Sequence, residues 1–260
     1  DNDKDLDLFV VSGGNEFNEG DTALQDRLYI NNGRGKFTKS NNLPKYFTSG
    51  SCVMPFDFDK DGDLDLFIGG RLTPRKYPHA ANSYLLENTG GKFIDASDKI
   101  APEMKDLGMV TAASWTDYNN DGFEDLIVVG EWMPVTLFMQ SENGTFKKET
   151  IPNSEGWYYE VKTGDMDNDG DNDIIVGNLG LNYKYKANSK EPFEVYSYDF
   201  DNNGSLDIVL SYYEHGIAFP VRGKSCSTQQ IPSLKEKFPT YEEFGNSNLQ
   251  NIYGSTLTDA

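Results

Sequence analysis

The sequence predicts an all-β protein, a β-propeller of four-stranded blades with acidic hairpin loops. Three observations lead there. An acidic nine-residue pattern recurs along the chain at blade-sized intervals, each copy runs into a short apolar β-type stretch, and Gly-centred hairpin turns follow. Composition agrees: 13% of the 260 residues are aromatic and 25 are glycine, the balance that short strands joined by tight turns produce.

The acidic pattern is Asp-x-Asp/Asn-x-Asp/Asn-Gly-x-x-Asp. It reads DFDKDGDLD at 57–65, DYNNDGFED at 117–125, DMDNDGDND at 165–173 and DFDNNGSLD at 199–207. A partial copy, DNDKDLD at 1–7, lacks the first position and carries Lys4 in place of glycine. The complete copies start 60, 48 and 34 residues apart, the scale of a propeller or solenoid array.

Apolar runs follow each copy: LFVV at 8–11, LFIGG at 66–70, LIVVG at 126–130, IIVG at 174–177 and IVLS at 208–211. They are short, lack helical periodicity and are apolar on both faces, so they are expected to be fully buried inner strands. Hairpins follow at 27–37, 83–93 and 135–146, and strands precede the loops at 51–56 and 111–116. The repeats at 165 and 199 are compressed, which predicts shortened or missing outer strands. Blades are therefore expected over 1–223. Residues 224–260 are expected to form a partly helical extension or insertion, including IPSLKEKFPTYEEF at 231–244, that leads on into a further blade or element.

Carboxylates at alternate positions of so short a loop converge on one ion. Side chains at positions 1, 3, 5 and 9 point inward, the carbonyl of position 7 (Asp63, Phe123, Asp171, Ser205) adds a ligand, and glycine at position 6 permits the sharp turn. An all-oxygen donor set selects a hard cation, and Ca²⁺ accepts flexible coordination better than Mg²⁺. An EF-hand needs a bidentate Glu at position 12; here that position is Ile68, Val128, Val176 or Leu210. Four ions are expected, with a fifth at the partial copy through Asp1, Asp3 and Asp7. Four would reduce the formal charge from −19 to −11. The loops at 57 and 165, with four Asp each, are expected to bind more tightly than those at 117 and 199, each of which carries one Asn.

The acidic balance argues against a nucleic-acid partner, which needs a basic face. No apolar run approaches the ~18 residues of a membrane span. Cys52 and Cys226 have no metal-ligand spacing, and Cys52, in an apolar run, reads as a buried free thiol. The chain opens inside a motif, so its N-terminus reads as a cut or processed end.

The repeats resemble the FG-GAP/VCBS group, which includes the integrin α-subunit propeller and many secreted bacterial proteins. GEWMPV at 130–135, GNLGLN at 177–182 and DFDNNGSLDIVLSYY at 199–213 are similar to bacterial VCBS proteins that often carry an ASPIC/UnbV-type domain, not found in this sequence. The resemblance implies a propeller of commonly about seven blades, of which about four or five are present. It also implies an extracellular, cell-surface or periplasmic location. The calcium ligands carry over to Asp57, Asp59, Asp61 and Asp65; to Asp117, Asn119, Asp121 and Asp125; to Asp165, Asp167, Asp169 and Asp173; and to Asp199, Asp201, Asn203 and Asp207.

If the acidic loops join the first and second strands at one end of each blade, the connections after the second strand gather at the other. Those segments hold Arg71, Arg75, Tyr77 and His79, then Glu131 and Trp132, Trp157 and Tyr158, and Tyr183 and Tyr185 beside Lys184 and Lys186. Aromatic and basic groups collected there fit a glycan or protein ligand. The structural alternative is that Trp132 and Trp157 fill contacts between blades and the lysines are a solvated face. Three readings stand: a binding or adhesion module; a scaffold among other domains of a larger exported protein, with no ligand of its own; and, least supported, a polysaccharide-active enzyme using Glu131 with Tyr158. No Gly-x-Ser-x-Gly, His-Glu-x-x-His or phosphate loop occurs, and calcium-held carboxylates are disqualified as general acids. No enzyme activity is therefore expected.

Overall fold

A computed structural model describes residues 3–258 and 260. Contacts divide the chain into two compact units, Asp1–Leu179 and Gly180–Ala260.

The first unit is a series of antiparallel sheets in chain order. The first holds β1 (Leu8–Val10), β2 (Arg27–Asn31) and β3 (Phe37–Lys39). The second is a complete four-stranded blade of β4 (Ser49–Phe56), β5 (Asp65–Leu72), β6 (Tyr84–Asn88) and β7 (Phe93–Asp95), followed by one helical turn, α1 (Ser97–Ile100). The third comprises β8 (Met109–Thr116), β9 (Asp125–Met133), β10 (Thr136–Gln140) and β11 (Phe146–Thr150). The fourth has two strands, β12 (Gly156–Gly164) and β13 (Asp173–Asn178). The tip of β12 pairs with the end of β9, Gly156 opposite Met133 and Trp157 opposite Glu131.

The apolar runs after the acidic loops are continuous because both faces of their strands are covered. On β9, Leu126 and Val128 join Phe67, Leu85 and Val110 in one cluster, whereas Ile127 and Val129 join Tyr158 and Val161 in the next. On β5, Phe67 faces that first cluster while Leu66 and Ile68 face Phe9, Tyr46 and Tyr84. Successive strand residues point to opposite faces, so each of these second strands contributes to the interiors on both sides of its blade. A Cβ on Gly69 would lie 2.6 Å from Val110 Cγ1 and 2.7 Å from Cys52 Sγ, so glycine there permits the close approach of neighbouring sheets.

β5 and β9 are buried almost throughout, as expected. β1 and β13 are not: Leu8 and Ile175 are each 45% exposed. For β13 the reason is its missing outer strands. Among the described residues it is hydrogen-bonded to β12 alone.

The second unit holds a three-stranded sheet, β14 (Glu194–Tyr198), β15 (Asp207–Glu214) and β16 (Ile217–Pro220). Short helices follow: α2 (Lys224–Gln230), α3 (Leu234–Lys237), α4 (Tyr241–Gly245) and α5 (Leu249–Tyr253). Pro232 and Pro239 fall between the first three, as expected of residues that lack the backbone donor a helix needs. Capping boxes start the last two, Thr240 with Glu243 and Asn248 with Asn251. Ile231, Leu234, Phe238, Phe244 and Ile252 form their core. Cys52 and Cys226 are both free thiols, and burial pushes Cys52 up to about 11. No helix among the described residues is long and apolar enough to cross a membrane.

Candidate functional site

All four complete acidic loops fold alike, each between two antiparallel strands. The position-1 carboxylate accepts the N–H groups of positions 5 and 6: Asp57 from Asp61 and Gly62 at 3.1 and 3.0 Å, Asp117 from Asp121 and Gly122 at 3.0 and 2.9 Å. Asp165 and Asp199 do the same with Asp169 and Gly170, and with Asn203 and Gly204. Position 5 then accepts the N–H of position 7, as Asp61 does from Asp63 at 2.8 Å and Asp121 from Phe123 at 2.9 Å. Position 6 takes a positive φ every time, from 84° at Gly204 to 101° at Gly170.

The partial copy follows the same path. Asp3 accepts the N–H of Asp5, and Lys4 adopts φ 74° where the other loops have glycine. A lysine can hold that left-handed turn only at a conformational cost. Asp1 lies outside the described residues.

These loops bring oxygens to cation-sized separations. Asp57, Asp59 and Asp61 each place a carboxylate oxygen within 4.8 Å of the others; Asp165, Asp167 and Asp173 form a second such group, and Asp199, Asp201 and Asp207 a third. In the loop at 117–125, Asn119 donates from Nδ2 to Asp121 at 2.8 Å. The donors are all oxygens with several negative charges, a set that fits a hard divalent cation. Electrostatics agree. Burial, with the neighbouring carboxylates adding to it and two backbone N–H groups opposing it in each case, pushes Asp65 up to about 7 and Asp125 up to about 6, as it does where desolvation outweighs the hydrogen bonds to the charged form.

The position-9 Asp has a second task that the pattern alone does not reveal. One oxygen accepts the N–H of position 2 within the loop: Asp65 from Phe58, Asp125 from Tyr118, Asp173 from Met166 and Asp207 from Phe200. The other reaches the third strand of the blade. Asp65 accepts from Asn88 N–H at 2.7 Å, Asp125 from Gln140 N–H at 2.7 Å and Asp7 from Asn31 N–H at 2.8 Å. The signal was present in the sequence as an amide residue closing each third strand, in RLYIN, YLLEN and TLFMQ.

Neighbouring loops also touch. Lys60 Nζ donates to the Gly122 carbonyl at 3.1 Å and lies 4.4 Å from the Phe123 ring centre. Gln140 Nε2 donates to the Phe58 carbonyl at 2.6 Å, and Asn172 Nδ2 to Thr116 Oγ1 at 2.8 Å.

Asp65 begins β5 and Arg71 lies near its end; Asp125 begins β9 and Glu131 and Trp132 lie near its end. The acidic loops and the expected ligand-facing residues therefore sit at opposite ends of the same strands, about 20 Å apart. Arg71, Tyr77, Glu131, Trp132 and Trp157 come together there. Glu131 is 2% exposed and accepts from the Arg71 guanidinium and from Tyr77 Oη at 3.3 Å. Trp132 donates from Nε1 to Tyr77 Oη at 2.7 Å, and its ring centre lies 5.0 Å from that of Trp157. Trp132 does this at φ 60°, a region bulky residues avoid, so the surrounding bonds hold a strained backbone in place.

Other candidates fall elsewhere. Tyr158 is a core residue at 4% exposure, its hydroxyl donating to the Ser154 carbonyl; this corrects the expectation of a surface role. It belongs to the core cluster that holds Ile127 and Val129 of β9 and against which Ile174 and Val176 of β13 pack. Arg75 is tied to a preceding loop, its backbone N–H donating to Asn15 Oδ1 at 2.6 Å and its guanidinium to the Glu16 carbonyl at 3.2 Å. Tyr183 and Tyr185 belong to the second unit, where Tyr185 stacks on Tyr212 at 4.3 Å and both pack on Phe193.

The fold and loops define a class: a repeat β-protein whose hairpins enclose acidic, cation-sized cages. The chain carries FG-GAP-like repeats, the profile of that family matching residues 1–68 and 117–176. No curated protein matches it in sequence. Among solved structures, the V. cholerae biofilm matrix protein Bap1 aligns over 63% of this chain and 35% of its own, at 13% identity and a TM-score of 0.22. The chain thus spans about a third of that protein's length, and the similarity is too low to carry an argument.

Proposed function

We infer that the protein is a calcium-stabilised, exported binding module that presents a glycan or protein ligand site at the strand ends opposite its acidic loops. Calcium would be held by the four side-chain sets of the complete loops and by the carbonyls of Asp63, Phe123, Asp171 and Ser205. Bound there, the ion neutralises the crowded carboxylates and ties the two strands of each hairpin together. An exported location follows from the same chemistry, because extracellular calcium modules work at roughly 10⁻⁴–10⁻³ M.

The observation that carries the reading is the polar arrangement of β5 and β9, with carboxylate cages at one end and the Arg71–Tyr77–Trp132–Trp157 cluster at the other. A guanidinium linked to two indoles through Glu131 and Tyr77 suits recognition by stacking and ion pairing, and aromatics and arginine dominate interface energetics. Glu131 serves there as the anchor of Arg71 and Tyr77 rather than as a general acid, so no catalytic step is assigned.

The test has two arms. Thermal unfolding with and without chelator, alongside ion counting by mass spectrometry, should give a lower Tm in chelator, its recovery with Ca²⁺, and about four ions per chain. A glycan array in calcium buffer should give hits that Trp157→Ala removes while the calcium-dependent Tm shift persists. A Tm indifferent to chelator would sink the calcium reading; hits unaffected by the Trp157 change would sink the assigned site.

A further inference from the structure

The C-terminal helices are tied to the acidic loop at 199–207, and the sheets of the first unit show what they replace there. In three of those sheets the third strand pairs with the residues directly after the ninth-position Asp: Leu28 lies opposite Phe9, Leu85 opposite Phe67 and Leu137 opposite Ile127. The Asp then accepts a backbone N–H from an amide residue closing that strand, Asn31, Asn88 or Gln140. In the second unit β16 pairs with Ser211–Glu214, the far half of β15, and stops at Pro220. A helix meets the start of β15 instead. Gln230, the last residue of α2, hydrogen-bonds through its side-chain amide to the Asp207 carboxylate and donates to the Ile208 carbonyl at 3.3 Å.

A second tie runs through position 2 of the loop. Phe200 packs against the helical core of Ile231, Leu234, Phe238, Phe244 and Ile252, its ring centre 5.4 Å from that of Tyr253. Its backbone N–H donates to Asp207 at 3.1 Å, so closure of the loop aims the ring. The junction is loosely filled, with a cavity of about 350 Å³ lined by Phe200, Leu234, Ile252 and Tyr253. Neither side of it is self-supporting. The helices have seven, four, five and five residues, and isolated helices shorter than about 12–15 residues are marginal in water. In the loop, Asp199, Asp201 and Asp207 bring carboxylate oxygens within 4.8 Å of one another, and like charges so close repel unless a cation offsets them.

We propose that the loop at 199–207 is a cation-controlled latch for residues 224–258. Closed around a divalent ion, it presents Phe200 and Asp207 to the helices and keeps them seated on their sheet, where α5 packs against β16 and the final turn, Gly254–Thr258, against β14. Emptied, the loop opens and the helices loosen. The proposal rests on the reading that the acidic loops hold calcium, and it assigns control of the helical segment to one of them.

Hydrogen exchange on the full chain, with ions counted by mass spectrometry on the same samples, tests it. Chelator should speed exchange at the amides of 231–252 by about tenfold or more. In saturating calcium, Asp201→Ala should do the same while β5 stays protected. Asp59→Ala, the equivalent change in the loop at 57–65, should leave 231–252 as in the native protein. Phe200→Ala keeps every side-chain ligand, so the ion count should hold while 231–252 exchange faster and respond less to chelator. Ions lost to chelator with exchange at 231–252 unchanged would overturn the latch alone, as would equal loosening by Asp59→Ala. A chain that takes up no ion in millimolar calcium would overturn it together with the calcium reading.

Discussion

Replacing Asp125 by alanine should cost more stability than replacing Asp173 by alanine, although both remove the ninth-position ligand of an otherwise complete loop. The difference lies in the third strand. Asp125 is fully buried and satisfies two backbone donors, Tyr118 N–H at 3.1 Å and Gln140 N–H at 2.7 Å. Asp173 has the equivalent of the first, Met166 N–H at 2.8 Å, and among the described residues no third strand pairs with its β13. With calcium saturating, loss of a ligand contributes similarly to both variants. What remains is one orphaned buried N–H, about 1–3 kcal/mol. In a chain of this size that separates the two melting temperatures by about 2–12 °C. Thermal unfolding followed by circular dichroism in millimolar calcium reads the difference directly. If Asp173→Ala costs as much as Asp125→Ala, the ninth-position carboxylate is only a metal ligand and its reach to the third strand adds nothing.

Three further outcomes are expected. Lys60→Met removes a hydrogen bond and a cation–π contact to the adjacent loop, so a double-mutant cycle with Phe123→Leu should give a coupling of about 0.5 kcal/mol, and zero coupling would dissociate the two loops. Gly130→Ala places a Cβ 2.0 Å from the Met109 carbonyl, a clash with backbone that should lower stability by about 3 kcal/mol or more in chemical denaturation; a neutral result would contradict the packing between β8 and β9. Burial pushes Asp26 up to about 6 against the opposing Ser12 N–H and Arg27, so its contribution is present below pH ~4 and is lost as pH rises through 6. Asp26→Asn should therefore gain on the native protein by about 2 kcal/mol between pH 4 and 7, and a pH-independent difference in Tm between the two would refute this.

Much of the site was legible because its rules are local. A nine-residue acidic loop needs its oxygens at alternate positions and a left-handed turn at the sixth, so the letters alone place the cages. Second strands announce themselves because burial on two faces abolishes alternation, as in DLIVVGEWM of β9. What could not be read depends on distant pairing. The Arg71–Glu131 contact joins residues on different sheets, and no spacing rule links them. The placement of Tyr158 in the core depends on how β12 meets β9, through a bridge of two residue pairs. The left-handed backbone of Trp132 breaks the preference of its residue type, so sequence reasoning points away from it. The double duty of the ninth Asp lies between these cases: its partner amides recur in the sequence, but their meaning appears only once the third strand is in place.

The second strands of the second and third blades carry a consequence for how the molecule tolerates damage. Because alternate residues of β9 serve two different interiors, no blade in this stretch owns a complete core. Excising one would strip an apolar wall from each neighbour, and an isolated blade would have nothing to close against. Stability in such an array is a sum of nearest-neighbour terms. A lesion at Ile127 should therefore loosen the β12–β13 side, and one at Val128 the β4–β7 side, from adjacent positions in the chain.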